Sequence, residues 1–284
     1  MTTFTTLVSL LFLPAGDYIA ELRRQRKQLE VQLAGDTPPS PRRKGQQEEH
    51  ALSLLLSDLR RLLQQPPSPN FPATLLSSPL DGLGLLLDLL KLVQLCQANT
   101  GHKERGLSQA VFKRALGDEY EILGCIKEAV QTEAGLERLA QHGSGLFTVS
   151  VCVMSNFSKS RVLALQVLTE MCSLAAGHTM VADSVAMLRL RFGEPVRFKF
   201  IVGEPLNWPP ENTDDFSRVS GMLCSYNSGS FQLSCLRFLN TFLETAASLE
   251  ERVYIQEELR IAGLEAFDLQ SLGQQVGGGD GVSR

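Results

Sequence analysis

The sequence predicts an all-α protein, an armadillo/HEAT-like helical solenoid with a short N-terminal helical region. Three observations predict this class. Leucine dominates the apolar residues while only 7% of residues are aromatic, a composition that favours packed helices over sheets. From residue 111 to 269, apolar residues recur with a period of 3.6 and the joints carry Gly, Ser or Asn, as helix caps require. Two segments that are far apart in the sequence, Ala164–Cys172 and Cys235–Leu243, also share one order of small, polar and apolar residues.

The N-terminal third contains helices separated by proline-rich breaks. Residues 1–35 are expected to form an N-terminal helical segment, with a charged helix at Tyr18–Leu33. The apolar run Thr6–Leu13 is read as a short packed helix or strand; a secretory signal is the alternative, but no basic residue precedes the run. Residues 36–49 read as a disordered linker, because they contain three prolines and no large apolar residue. Ser40 in this linker is either a phosphorylation site or simply a linker residue.

Two apolar helices follow the linker, within residues 50–110. Ala51–Leu63 follows the i, i+3, i+4, i+7 rule, and a proline cluster beginning at Pro66 stops it. Asp81–Gln97 is apolar on nearly every side, so neighbours are expected to bury it on more than one face.

Residues 111–270 are expected to form the armadillo-like domain, and residues 271–284 a disordered tail. The predicted helices of this domain are Glu119–Gln131, Gly135–Gln141, Leu146–Met154, Arg161–Leu174, His178–Leu188, Val196–Val202, Phe231–Thr245 and Leu249–Ile261.

The shared helical scheme lies in Ala164–Cys172 and Cys235–Leu243. Each reads small, Leu, polar, apolar, Leu, polar, polar, apolar, apolar. Their offset is 235 − 164 = 71 residues, longer than one repeat of about 40–47. The polar, proline-containing segment 204–220 explains part of the excess, because removing its 17 residues leaves 71 − 17 = 54. We interpret it as an insertion that loops out of the repeats. The more specific alternative is a loop that binds a partner through Trp208.

Catalytic and nucleic-acid-binding patterns are absent from the sequence. A net charge of −4 is poorly suited to neutralising phosphates, so no nucleic-acid partner is expected. The six cysteines lack CxxC spacing, and no His lies at metal-ligand spacing from a Cys, so neither a metal nor a cofactor is expected. The nucleotide-binding, hydrolase and zinc-protease motifs are missing too. The glycine-rich run at residues 277–281 is interpreted as part of a disordered tail rather than as a phosphate-binding loop. We therefore expect a non-enzymatic binding scaffold.

Several blocks of sequence, in the right order, resemble the diaphanous-type inhibitory domain of formins, the formin homology three region. The resemblance covers most of 14–269. The blocks are Cys125–Leu136, Gly145-Leu146, Arg161–Cys172, Ala176-Gly177-His178, Cys235–Asn240, and Arg252–Leu259 with Gly263-Leu264. More thinly, Pro14–Leu22 and Leu59–Leu90 resemble the end of the family's GTPase-binding region, so residues 50–110 read as its helical remnant.

The resemblance implies a regulatory mechanism and two sets of site residues. In formins, the concave face of this domain holds an autoregulatory helix, and a GTP-bound Rho-family GTPase displaces it to release actin assembly. The GTPase-binding candidates implied here are Lys127, Gln131 and Thr132. The partner-helix candidates are Gln166, Thr169, Glu170, Arg237, Asn240 and Thr241. The resemblance also implies a cytoplasmic, cytoskeleton-associated protein.

Three departures from the family pattern keep alternatives open. Gln131 and Thr132 stand where the family has two adjacent asparagines that help to contact the GTPase. The 204–220 insertion is foreign to the pattern, and the chain has neither the proline-rich formin homology one segment nor the actin-assembling formin homology two domain. The chain then reads as a fragment, a splice form or a stand-alone regulator. The alternative function is a generic armadillo/HEAT adaptor that binds an unrelated peptide without GTPase control.

Overall fold

The structure is a computed structural model that describes residues 14–34, 51–100, 107–202 and 229–264. Within these ranges every regular element is helical and no strand occurs, which confirms the all-α prediction. The predictions for the apolar run 6–13, the linker 36–49, the insertion 204–220 and the tail 271–284 lie outside the described residues.

The chain divides into two compact units, Met1–Thr148 and Val149–Arg284. Helices that begin in the first unit are α1 (Ala15–Ala34), α2 (Ala51–Gln64), α3 (Phe71–Leu76), α4 (Gly82–Thr100), α5 (Leu107–Ala129), α6 (Glu133–Gln141) and α7 (Gly145–Val151). The second unit continues with a 3-10 turn (Cys152–Met154), α8 (Ser158–Cys172), α9 (Gly177–Phe192), α10 (Lys199–Val202), α11 (Gly229–Glu244) and α12 (Leu249–Ala262). Helices near in sequence pack on one another within each unit, as in a helical solenoid.

The core of the first unit is built around α4. This helix packs against α1, α3, α5 and α6, so it is buried on more than one face, as its apolar sequence predicts. Leucines along it, from Leu83 to Leu90, are almost fully buried. Helix α5 also packs against α2, so the leucine stripe of α2 has its partner in the same unit.

Helix α5 begins twelve residues before the predicted start at Glu119. Residues 107–118 are mostly good helix formers, and the one weak position, Gly117, costs only about 1 kcal/mol. Ala115 and Leu116 are buried, and that burial outweighs the glycine. The predicted domain boundary between residues 110 and 111 therefore lies inside α5.

The core of the second unit is aromatic. Phe198, Phe238 and Phe242 are fully buried, and their rings meet around Phe242 at centroid distances of 5.5 and 5.8 Å. His178, near the start of α9, stacks on Phe242 at 4.3 Å. The Arg197 guanidinium donates from Nε, at 2.8 Å, and from a terminal nitrogen to the same carboxylate oxygen of the buried Glu258 of α12, which holds the segment before α10 against α12.

Capping residues occur at both the starts and the ends of helices, as the Gly, Ser and Asn residues of the joints predict. Ser248 accepts a hydrogen bond from the backbone N–H of Glu251, three residues into the start of α12. Gly193 and Gly263 follow α9 and α12 with φ of 68° and 111°, in the left-handed region that glycine enters without strain.

Candidate functional site

Helices α8 and α11 carry the repeated sequence scheme, and they pack against each other more extensively than any other helix pair of the second unit. Near their N-termini, the Arg161 guanidinium lies over the Phe231 ring at 6.0 Å from its centroid. At their C-terminal ends, Thr245, the residue after α11, lies close to the Cys172 thiol. Since both contacts join like ends, the two helices run parallel. Equivalent helices of stacked repeats are arranged in this way.

Each helix of this pair leaves a corresponding stripe of side chains outside the core. The first stripe comprises Val162, Gln166 and Thr169 of α8 with Ser173, the residue that caps its C-terminus, and the second comprises Leu233, Arg237, Asn240 and Glu244 of α11. Every residue of the second stripe lies 71 positions after its counterpart in the first. We call these eight residues the paired stripes.

The paired stripes include four of the six partner-helix candidates. Arg237 and Asn240 are exposed on α11, while Gln166 and Thr169 are partly buried on α8. The Thr169 hydroxyl donates a hydrogen bond to the Leu165 carbonyl at 2.7 Å, so its bonding capacity is partly used within its own helix.

The other two candidates lie beside the stripes. Glu170 and Thr241 are both partly buried, one helical position from the stripe residues Thr169 and Asn240. The structure therefore places all six candidates on two adjacent parallel helices.

Sequence reasoning missed the apolar members of the stripes. Val162 is partly exposed, and Leu233 keeps 47% of its surface in contact with solvent. The repeat itself contains the signal, because 233 − 162 is again 71. Each stripe thus begins with an aliphatic side chain and continues with polar ones, a combination suited to the apolar and polar faces of a bound helix.

Buried contacts hold α8 and α11 in place beneath the stripes. Arg161 is 2% exposed and donates from Nε to the Ser155 carbonyl at 2.5 Å, which ties the start of α8 to the preceding turn. Burial raises the pKa of both Cys172 and Cys235 to about 12, so these thiols stay protonated at neutral pH. They act as small apolar core residues rather than as nucleophiles.

The GTPase-binding candidates lie in the first unit, where α5 ends and α6 begins. Thr132 is the N-cap of α6: its hydroxyl accepts from the Gly135 backbone N–H at 3.1 Å and donates to the Ala129 carbonyl at 3.0 Å. Gln131 is exposed and donates to the Lys127 carbonyl at 3.4 Å. The Thr132 side chain therefore has a structural role whether or not a partner binds there.

The surroundings of these candidates are polar and charged. Lys127 lies 3.3 Å from the Glu128 carboxylate, which also accepts a hydrogen bond from Gln64 at 3.1 Å. On α6, Arg138 pairs at 2.6 Å with Asp81, the residue before α4. These ion pairs are partly solvated and contribute modestly to stability.

The described residues give no sign of a metal or membrane site. No cluster of three or more metal-ligating side chains occurs among them. In the same ranges, no helix has the length and apolarity needed to cross a bilayer. The five cysteines in these ranges form no disulfide with one another.

Comparison with known proteins gives weak but consistent similarities. No family model matches the chain. It is 18% identical to a formin-like protein of Drosophila melanogaster over 165 residues, which cover 58% of this chain and 13% of that protein. It is 18% identical to mouse formin-like protein 1 over 166 residues, 58% of this chain and 14% of the relative. It is 22% identical to human protein diaphanous homolog 3 over 186 residues, 65% of this chain and 13% of the relative.

These similarities support a relation to formins and do not single out one formin domain. The chain spans about one seventh of the length of the curated relatives that it matches.

Proposed function

We propose that this chain is a non-enzymatic regulatory scaffold of the formin type, which binds a helical segment of a formin or of the actin-assembly machinery across α8 and α11. The observation that supports it is the pair of parallel helices with corresponding stripes 71 residues apart. We propose that this activity belongs to actin organisation at the cytoskeleton, and the similarity to formin-like and diaphanous proteins supports that proposal.

The paired stripes suggest how such a helix is bound. An amphipathic helix laid across α8 and α11 would pack its apolar residues on Val162 and Leu233, while Gln166, Arg237 and Asn240 fix its register through hydrogen bonds. In such interfaces a few central residues contribute most of the binding free energy. Asn240 is our first choice, because it is exposed and lies in the middle of its stripe.

Control by a GTPase is the second part of the proposal. We propose that a GTP-bound Rho-family GTPase contacts Lys127, Gln131 and Thr132 and competes with the bound helix. Linkage then requires each ligand to lower the affinity of the other by the same factor.

One observation favours the alternative, a generic armadillo adaptor without GTPase control. Gln131 and Thr132 replace the asparagine pair of the resembled family, and the Thr132 hydroxyl is already engaged in capping α6. Such an adaptor would keep the paired stripes and lack the GTPase response.

The helix-binding proposal is tested by the affinity of the chain for formin autoregulatory peptides. We compare the wild type with Asn240→Asp and Thr169→Asp, and use Thr179→Asp, an exposed position on α9, as the matched control. At least one stripe variant should lose more than about 1–2 kcal/mol of binding, and the control should not. Circular dichroism must show that all variants stay folded. An absence of wild-type affinity, or folded stripe variants that bind normally, contradicts the proposal.

The GTPase proposal is tested by pull-down against a panel of GTP-loaded and GDP-loaded Rho-family GTPases. The informative variant is Gln131→Asn with Thr132→Asn, which restores the asparagine pair and keeps a residue that caps helices well. We expect the wild type to bind at least one GTP-loaded member, and the double variant to bind more tightly at unchanged stability. If neither protein binds any member, the adaptor alternative replaces GTPase control.

A further inference from the structure

The α3–α4 turn, residues 77–81, carries an exposed serine that the proposed function does not use. A backbone hydrogen bond closes the turn, because the N–H of Leu80 donates to the Ser77 carbonyl at 3.1 Å. Ser78 and Pro79 lie between these two residues, and both are exposed. Exposed loop tips of this kind are the parts of a folded chain that other enzymes reach most easily.

The two serines of the turn differ in what their hydroxyl groups do. The Ser77 hydroxyl donates to the Thr74 carbonyl at 2.6 Å and so helps to end α3. The Ser78 hydroxyl makes no hydrogen bond to any residue that the structure describes. Ser78 is also followed directly by Pro79, and proline-directed protein kinases select a serine in that position. A kinase can therefore modify Ser78 without breaking a hydrogen bond of its hydroxyl to these residues.

A guanidinium group of α1 lies beside this turn. Arg23 donates from a terminal nitrogen to the Leu80 carbonyl at 3.1 Å, and Leu80 is only two residues after Ser78. A guanidinium has five N–H donors, so this one contact leaves most of its hydrogen-bonding capacity available. Arg23 can therefore hold the turn and still bind an anion beside it.

Arg23 also differs from its neighbours on α1 in how its charge is compensated. Arg24 pairs with Glu21 at 2.6 Å, and Arg26 lies 2.8 Å from the Asp88 carboxylate. Arg23 forms no ion pair with any described residue, and its partner at the turn is a neutral carbonyl. The turn therefore has a cation beside it that no described carboxylate neutralises.

The carboxylate at the end of the turn does not oppose an anion there. Asp81 Oδ1 accepts from Arg138 of α6 at 2.6 Å and from the Gly84 backbone N–H at 3.3 Å, so its charge is compensated. A phosphoserine carries about 1.5 to 2 negative charges at neutral pH and three strong acceptor oxygens. Phosphate on Ser78 would therefore find Arg23 close by, without facing an unpaired carboxylate of the turn.

We propose that Ser78 is a phosphorylation site for a proline-directed protein kinase, and that its phosphate binds Arg23 and clamps α1 to the α3–α4 turn. In the transfer, Ser78 Oγ attacks the γ-phosphorus of ATP. The Oγ–P bond forms as the bond from that phosphorus to the β,γ-bridging oxygen breaks, ADP leaves, and a base of the kinase takes the hydroxyl proton. Since α1 already packs on α3 and α4, the clamp strengthens an existing contact and controls how firmly α1 is held.

The modification is tested by incubating the full chain with ATP and a purified proline-directed kinase and locating the phosphate by mass spectrometry. Three other Ser–Pro or Thr–Pro dipeptides occur in the sequence, at Thr37, Ser40 and Ser68. Replacing these three residues by alanine leaves Ser78 as the proline-directed acceptor. We expect this triple variant to take up phosphate at Ser78, and added Ser78→Ala to reduce the uptake about tenfold or more. A triple variant that takes up no phosphate overturns the proposed site.

The clamp is tested separately, with phosphoserine incorporated genetically in place of Ser78, so that the result does not depend on a kinase. We expect phosphoserine to slow hydrogen exchange in α1 about fivefold, because charge-assisted hydrogen bonds then oppose the opening of that helix. The same comparison in an Arg23→Gln background should show no slowing. Arg24→Gln removes a neighbouring charge of the same helix as the matched control, and the slowing should persist in it.

Two results would overturn the clamp while leaving the phosphorylation site in place. One is exchange in α1 that phosphoserine does not slow. The other is a slowing that persists with Arg23→Gln or disappears with Arg24→Gln, since the phosphate would then act through other groups. Circular dichroism of each variant identifies any chain that has unfolded.

Discussion

Burial of the Asp118 carboxyl on α5 predicts that the stability of the first unit depends on pH. Its side chain is 6% exposed, and Oδ1 has no hydrogen-bond partner among the described residues. Burial, assisted by the nearby Glu121 carboxylate and opposed by Arg114, raises the pKa of Asp118 from 3.8 to about 7. Cys96 of the facing helix α4 also lies near Asp118, whose charge adds to burial in raising the pKa of the Cys96 thiol.

The sign of the effect follows from proton binding. Between about pH 4 and pH 7 the folded chain holds a proton on Asp118 that the unfolded chain has lost, so stability falls as pH rises through this window. The full shift of the pKa corresponds to a loss of about 4 kcal/mol, and structural relaxation with partial hydration reduces it to about 1–3 kcal/mol. Above about pH 7 this contribution stays constant, because the carboxyl is then ionised in both states.

Substitution of Asp118 by Asn removes the titration while keeping the size of the side chain. We expect urea unfolding to show Asp118→Asn more stable than the wild type by about 1–3 kcal/mol near pH 8, and nearly equal to it near pH 4. Glu137→Gln, at an exposed position of α6 in the same unit, is the control and should show no such pH-dependent gain. If the gain from Asp118→Asn is the same at both pH values, the carboxyl is not a buried group that titrates near neutrality.

Three further expectations concern the repeat core, the cap and the insertion. Leu168→Asp or Leu239→Asp should unfold the second unit, because each side chain is at most 3% exposed and a buried unpaired carboxylate costs several kcal/mol. A circular dichroism spectrum typical of the folded protein would show that the buried and exposed faces of these helices are misassigned. Thr132→Ala should lower stability by about 1 kcal/mol through loss of the α6 cap, whereas Thr132→Asn should not; equal losses in thermal unfolding would exclude capping as the cause. Deleting 204–220 should leave the melting temperature unchanged or higher, and a large fall would show that this segment belongs to the core.

Periodicity predicts the strongly amphipathic helices well and the boundaries less well. Helix α2 ends within a residue of the prediction, because its leucine stripe and the prolines after it are both local signals. Helix α3 was not predicted, because the whole proline cluster that begins at Pro66 was interpreted as a break between helices. Pro72 lies in the first turn of that helix, where its missing N–H would have no partner anyway. The early start of α5 depends on burial against other helices, which no local pattern records.

The candidate site was predictable to the extent that the repeat is visible in the sequence. The shared scheme identified α8 and α11 and four of the eight stripe residues. It did not supply Val162 and Leu233, since aliphatic residues in a helix are ordinarily expected to be buried.

The parallel contact of α8 and α11 has a consequence for how this surface tolerates change in the gene. Their alignment is set by side chains at the two ends of the helices, Arg161 with Phe231 and Cys172 with Thr245, and none of these belongs to residues 203–228. Insertions or deletions within that segment therefore leave the spacing between the stripes unaltered. Natural variation in the length of that segment is therefore expected to preserve the ligand that the surface accepts.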